Sequence, residues 1–304
     1  MRNLLSLSDL GKDGLTRLLD SADTFKNTRH LAQQRRPLAG RSVALVFEKA
    51  STRTRISLEV AVVELGGHPI VITSAGSQMA RGEPIADTAR VLSRMVHAIT
   101  FRTSGPERLL EMVHHSSVPV LNALTDQSHP MQLMADLQTV RGRFGRLEGL
   151  NYAWVGDGNN MAYSWLEAAG LLGLHLTLAC PAGYEPQQQD LDQAQAKGAN
   201  IRLVRDPREA ARDAHVVSTD VFASMGQESE QADRLAAFRG FIVNEELLRL
   251  ADPSHIVLHC LPAHRGEEIE ASVLEGPHSA AWDEAEARLH TSKAALCWAV
   301  GDDG

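Results

Sequence analysis

The chain is poor in the features that mark several protein classes. Its 304 residues include only three cysteines, Cys180, Cys260 and Cys297. They are widely spaced, odd in number and form no CxxC pair, which argues against a disulfide framework or a structural zinc site. A reducing compartment fits such usage. No apolar run approaches the ~20 residues needed to cross a bilayer. The opening MRNLLSLSDLGKDG turns polar too soon for a secretory signal, so the expected location is the cytoplasm. Basic charge is not in excess: 30 Lys+Arg face 38 Asp+Glu, a net charge of −8 with neutral histidines. That balance and an aromatic content of 5% disfavour a general nucleic-acid binder, which needs a basic face or a stacking platform. Local cationic clefts are not excluded, because net charge says nothing about one pocket.

What remains is ordinary globular composition, with 43% hydrophobic and 22% charged residues. At roughly 150 residues per domain the length predicts two domains. Short apolar runs alternate with longer helical stretches. Strands are expected at Ser42–Phe47, Pro69–Thr73, Val118–Leu124, Tyr152–Val155, Leu174–Cys180, Ile201–Val204, His215–Asp220 and His255–Leu261. Helices are expected at Thr52–Leu65, Thr88–His97, His129–Arg143, Asn160–Leu172, Gln187–Lys197 and Pro207–Ala214, with a last amphipathic helix at about Asp283–Trp298. Alternation of this kind predicts α/β architecture: two domains, each a parallel sheet flanked by helices. The polar, Gly-containing RGRFGRLEG after Val140 is the natural joint. The expected domains are residues 1–146, joined by the C-terminal helix at about 283–304, and residues 147–282.

Ligands of open α/β sheets bind beyond the carboxyl ends of the strands, and polar residues cluster there. Phe47–Arg55 (FEKASTRTR) follows a strand and opens a helix. Ser51, Thr52 and Thr54 bring hydroxyls, Arg53 and Arg55 bring charge, and the first helical amides have no intrahelical partners, a combination suited to phosphate. The plainer reading is a capped helix with two surface arginines. His129-Pro130-Met131-Gln132 opens another helix, where Pro fits the first turn and His129 and Gln132 share a face. Such a His can donate to a developing oxyanion, or serve no catalytic role. In His259-Cys260-Leu261-Pro262, Cys260 is either a ligand-contacting thiol or a small buried hydrophobe. Gly156-Asp157-Gly158-Asn159-Asn160-Met161 is half of a dinucleotide fingerprint and lacks the third glycine. Asp220, ahead of Ser224-Met225-Gly226, can pair with an ammonium group or simply begin a loop. Arg102 and Arg288 are single charges.

Together the motifs are specific. STRTR at 51–55, HPMQ at 129–132, DxxxSMG at 220–226 and HCLP at 259–262 occur in this order, and the likeness runs from about Leu5 to Trp298. The chain resembles the aspartate/ornithine carbamoyltransferase family, on the ornithine side of it. The resemblance implies that Ser51, Thr52, Arg53 and Thr54 hold the phosphate of carbamoyl phosphate, and that Arg102 bridges phosphate and carbonyl oxygen. It implies that His129 donates to that oxygen and that Gln132 accepts from the carbamoyl NH₂. Cys260, the Leu261 backbone and Arg288 would complete the carbamoyl site. Asn160, Asp220, Ser224 and Met225 would bind ornithine. Gln78 matches a residue that the family delivers from a neighbouring subunit, implying a homotrimer or a multiple of trimers. The resemblance further implies that the C-terminal helix returns to the first domain, that carbamoyl phosphate and L-ornithine are the small-molecule partners, and that no metal or organic cofactor takes part; the compact chain favours arginine synthesis over ornithine-generating catabolism. Ala287 departs from the family's usual Asn beside Arg288 and is expected to loosen that arginine's support. Ser128 stands where Phe is frequent. A carbamoyltransferase for N-acylated ornithine or putrescine, a nicotinamide-dependent oxidoreductase suggested by GDGNN, and a catalytically silent scaffold are the competing readings.

Overall fold

The computed structural model describes residues 2–31, 35–74, 77–223 and 230–302. The chain divides into two compact units, one of Met1–Gln138 with Glu286–Gly304 and one of Thr139–Ala285.

The first unit is built on β1 (Ser42–Phe47), β2 (His68–Thr73), β3 (Ala98–Arg102) and β4 (Val120–Leu124), all parallel, in the order β2-β1-β3-β4. Its helices are α1 (Gly11–Thr28), α2 (Arg53–Glu64), α3 (Ile85–Leu92), α4 (Pro106–His115) and α5 (Pro130–Phe144), the last running on into the second unit. Val46, Ile99, Phe101 and Val120 from the strands pack with Ile85, Ala89, Leu109 and Met112 from α3 and α4. Helix α2 ends where Gly66 takes a φ of +84°. Its N–H and that of Gly67 close the last turn on Val63 O and Val62 O, a conformation suited to a residue without Cβ.

The second unit contains β5 (Asn151–Val155), β6 (His175–Ala179), β7 (Asn200–Val204), β8 (Val216–Thr219) and β9 (Ile256–His259), parallel in the order β7-β6-β5-β8-β9. Between and after them lie α6 (Asn160–Leu172), α7 (Gln188–Ala196), α8 (Pro207–Ala211), α9 (Gln231–Ala237), α10 (Glu245–Leu248) and α11 (Ala271–Leu274). In each sheet the chain reverses its direction of strand addition once. The reversals lie between β1 and β3 and between β5 and β8, where a crevice opens at the carboxyl ends.

The expected elements lie mostly within a few residues of their positions, while β3, α1, α4, α9, α10 and α11 are not among them. Three helices show why. The helix expected at Thr88–His97 starts at Ile85, just after Pro84, and stops at Leu92. The chain must leave it early because Val96 is buried and His97 N–H donates to Ser42 O in β1. Helix α1 has apolar residues Leu15, Leu18, Leu19, Ala22 and Phe25 on its buried face, a pattern diluted by the charged residues between them. The last helix, α12 (Ala281–Ala299), is not amphipathic along its length: every residue from Ala287 to Cys297 is buried, including His290, Thr291, Ser292 and Lys293. Lys293 is neutralised by Glu64 of α2, and from Glu286 onward this helix belongs to the first unit.

Candidate active site

In the first unit the expected residues converge on the β1/β3 crevice. β1 delivers Ser51 and Thr52 to the start of α2, and β3 ends on Arg102, whose Nη1 donates to Ser51 Oγ at 3.4 Å. Thr54, on the first turn of α2, is buried, while Thr52 is exposed and Arg53 half-buried. Arg55 is exposed and pairs along the helix with Glu59 at 3.3 Å, so it is the member of STRTR turned elsewhere. Arg288, from α12, is 2% exposed. Its Nη2 donates to Thr54 Oγ1 at 2.8 Å and its Nη1 to Gln132 Oε1. Gln132 Nε2 in turn donates to Asp136 Oδ1 at 2.8 Å, one turn further along α5. Three distant stretches of sequence are thus tied together by one guanidinium, whose fork geometry a lysine cannot reproduce.

His129 precedes α5 and is 6% exposed. Burial, followed by the fields of Arg288, Arg102 and Arg53, lowers its pKa well below 6.5. The imidazole is therefore neutral at physiological pH, with one N–H to give and no charge of its own. Ser128 accepts from Asn122 Nδ2 at 3.1 Å and its carbonyl receives Thr125 N–H, so it secures the turn that presents His129. Ala287 is buried, and its carbonyl accepts from Thr291 Oγ1 at 3.0 Å. Beside it, Thr54 and Gln132 hold the two terminal nitrogens of the Arg288 guanidinium. Gln78 is exposed beside the short turn Met79–Arg81 and lies apart from this cluster's hydrogen bonds.

In the second unit Asp220 and Cys260 meet at the β5/β8 crevice. Asp220 follows β8 and is 7% exposed. Its Oδ2 accepts from Asn159 Nδ2 at 2.9 Å and its Oδ1 from Cys260 Sγ at 3.1 Å. Asn159 also caps α6, accepting from Met161 N–H and Ala162 N–H, and Asn160 is the first residue of that helix. The GDGNN turn thus opens a helix and presents two amides. Gly158 packs so closely that a Cβ there would lie 2.4 Å from Pro186 N, which accounts for a glycine at that position. Ser224 and Met225 lie outside the described residues.

Cys260 and Leu261 leave the end of β9. Leu261 has a φ of +58°, a region that costs a β-carbon residue about 1 kcal/mol or more. Its N–H donates to His259 Nδ1 at 2.9 Å, and His259 Nε2 donates to the buried Glu268 at 2.9 Å. Glu284 receives His259 N–H at 2.9 Å. Potential ligand atoms of Asp220, His259 and Cys260 lie within 4.8 Å of one another, as do those of His264, Glu267 and Glu268. Both nitrogens of His259 are already engaged, so the first set offers an ion only a carboxylate and a thiol.

Sequence reasoning left several supporting residues without a role. Asp136 and Asn159 bond the expected site residues Gln132 and Asp220, Glu268 and Glu284 bond His259 next to Cys260, and Arg234 pairs with Asp157 at 2.9 Å. The i,i+4 spacing of Gln132 and Asp136 on one helix was a readable signal. The others join residues far apart in sequence.

Residues 2–142 match the family described as aspartate/ornithine carbamoyltransferase, carbamoyl-P binding domain, and residues 148–299 match its Asp/Orn binding domain. An ornithine carbamoyltransferase of Geobacter metallireducens is 55% identical over 296 residues, covering 97% of this chain and 98% of its own. One from Acidothermus cellulolyticus is 53% identical over 309 residues, covering 100% and 98%. The solved ornithine carbamoyltransferase of Pyrococcus furiosus superposes with a TM-score of 0.94 at 43% identity, covering 99% and 97%. The anabolic ornithine carbamoyltransferase of Campylobacter jejuni gives 0.92 at 37%, covering 98% of both chains.

Proposed function

The chain belongs to the aspartate/ornithine carbamoyltransferase family, and we propose that it transfers the carbamoyl group of carbamoyl phosphate to the δ-amine of L-ornithine, giving L-citrulline and phosphate. The observation that carries the choice of acceptor is Asp220. A buried carboxylate at the β5/β8 crevice, aimed by Asn159 and Cys260, suits the α-ammonium of an amino acid. An acceptor without that ammonium would leave it unpaired.

The first domain, taken as residues 1–146 with the C-terminal helix at about 283–304, binds carbamoyl phosphate. Ser51, Thr52, Arg53, Thr54 and the amides opening α2 hold its phosphate, a task in which bidentate arginine excels. Arg102 spans phosphate and carbonyl oxygen. Neutral His129 donates to that oxygen with Arg102 and Arg288, so negative charge developing there meets fixed donors. Gln132 accepts from the carbamoyl NH₂, using the second lone pair of an oxygen that already takes Arg288. In the second domain, residues 147–282, Asn160, Asp220, Ser224 and Met225 bind ornithine. Cys260 and the Leu261 backbone make polar contacts to the reacting groups. The neutral δ-amine attacks the carbonyl carbon, the tetrahedral intermediate collapses, the C–O bond to phosphate breaks, and the departing phosphate accepts the amine proton. No metal or organic cofactor enters these steps.

The role is anabolic and cytoplasmic, and the assembly a homotrimer or a multiple of trimers with Gln78 contributed across the interface. Support comes from a relative termed anabolic, from the absence of any helix among the described residues long and apolar enough to cross a membrane, and from the exposure of Gln78 and of Ile56 and Val63 on α2. The test offers carbamoyl phosphate with ornithine, N-acetylornithine, putrescine or aspartate. Citrulline from ornithine, with the other amines inert, is expected. Turnover of another amine in its place would refute the acceptor assignment, and no turnover with any amine would refute the enzyme.

A further inference from the structure

Arg234 is one turn into α9 and only 7% exposed, an unusual place for a cation, and its hydrogen bonds among the described residues go to Asp157, Phe222 and Glu230 rather than to Asn160 or Asp220. Its Nη1 donates to Asp157 Oδ2 at 2.9 Å and to Phe222 O at 3.0 Å, and its Nε to Glu230 Oε2 at 3.1 Å. The guanidinium lies 5.0 Å over the ring of Tyr184. Tyr184 O accepts Gly158 N–H at 2.7 Å, so the surface beneath the arginine is bonded to the turn that Asp157 belongs to.

These contacts bracket Asp220 from both sides. Asp157 is two residues before Asn159, the side chain that orients Asp220 Oδ2, and Phe222 is two residues after Asp220 itself. Trp154 Nε1 donates to Asp157 O at 2.9 Å, which anchors the same turn to the end of β5. One planar cation thereby fixes the spacing between the β5 turn and the chain leaving β8. That is the spacing on which the Asn159–Asp220 bond depends. A lysine could neutralise Asp157 but could not also hold Phe222 O and Glu230 in the fork.

Resting on the proposed acceptor, we propose that Arg234, through its pair with Asp157, is a positioning residue for the acceptor amino acid: it fixes Asp220 for the α-ammonium and sets affinity for ornithine without acting on carbamoyl phosphate. Loss of the fork lets Asp220 and Asn159 separate, and the charge-assisted bond to the ammonium weakens. Groups in the first unit are untouched.

The experiment measures steady-state kinetics and calorimetric binding of carbamoyl phosphate in R234Q, D157N, R234K and the R234Q/D157N double variant. Wild-type citrulline formation from ornithine is the control, and its failure would sink the acceptor assignment and not this inference specifically. R234Q is expected to raise the KM for ornithine about tenfold or more, the size of one lost charge-assisted hydrogen bond. Its kcat at saturating ornithine and its Kd for carbamoyl phosphate should stay within about twofold. The double variant, which removes the stranded carboxylate as well, is expected to recover part of the KM, so the two changes are not additive. Should R234Q not fold, R234K and D157N report the same ratio, with the same expected direction. An unchanged ornithine KM in the folded variants would overturn the proposal. So would KM and carbamoyl-phosphate Kd rising together, or strict additivity in the double variant.

Discussion

The two units solve the same topological problem with opposite charge. Each opens a crevice where its strand order reverses, and each fills it with side chains from the ends of non-adjacent segments. In the first unit the fillers are Arg53, Arg102 and Arg288, with a histidine held neutral among them. In the second the centre is a buried carboxylate, Asp220, with a neutral amide and a thiol pointed at it, and a second carboxylate, Asp157, behind. The lesson is that the sheet supplies a position and the residues that end its strands supply the chemistry. A phosphate calls for fixed cations and helix amides, an ammonium for one aimed carboxylate.

That division predicts a split in the kinetics. Replacing a first-unit donor should damage the rate, and Arg102→Ala is expected to lower kcat by about 10²–10³-fold, as loss of one oxyanion donor does. Stopped assays at saturating ornithine check this, and an unchanged kcat would break the contrast. Replacing the second-unit carboxylate should damage acceptor affinity. Asp220→Asn is expected to lower kcat/KM for ornithine about 10- to 100-fold, the range for a lost hydrogen bond to a charged group. Equilibrium binding of carbamoyl phosphate should be retained.

The units should also answer pH with opposite signs. His129 has its pKa lowered by burial and then by the neighbouring arginines, so the unfolded chain takes up a proton more readily than the folded one. Its stabilisation is complete above the ordinary value of 6.5 and is lost as pH falls below it. Asp157 is pushed up from 3.8 to about 6 by burial, against the pull of Arg234. Its contribution is complete below 3.8 and is lost as pH rises through about 6. Calorimetric melts across pH 4–8 should therefore show His129→Asn flattening the acid-side loss, and Asp157→Asn flattening the loss as pH rises through about 6. Identical pH profiles for the two variants would contradict this. The smallest effect is expected at Ala287. Because Thr54 and Gln132 already hold Arg288, Ala287→Asn should change kcat less than about threefold and cost stability by about 1–3 kcal/mol, the price of an extra amide in a buried position. A large gain in kcat would show that the arginine was under-supported after all.

Much of this division was legible in the sequence because its signals are local. Strands such as Ser42–Phe47 are short apolar runs, and STRTR and HPMQ lie at helix starts, where polar residues have an obvious use. What was illegible is relational. Nothing near Arg288 in sequence says that it bonds Thr54, and nothing near Arg234 says that it bonds Asp157, 77 residues away. The last helix misled for a related reason. Its polar residues read as a solvated face, whereas Lys293 is buried against Glu64 and Thr291 bonds back to Ala287 O. Satisfied buried polar groups look like surface until their partners are known.

The most direct measurement is titration calorimetry of carbamoyl phosphate into Arg53→Ala and Asp220→Asn beside the wild type. The account predicts that Arg53→Ala loses measurable binding while Asp220→Asn keeps the wild-type Kd. Equal losses in both, or retained binding in Arg53→Ala, would contradict the assignment of the anion to the first unit and the ammonium to the second.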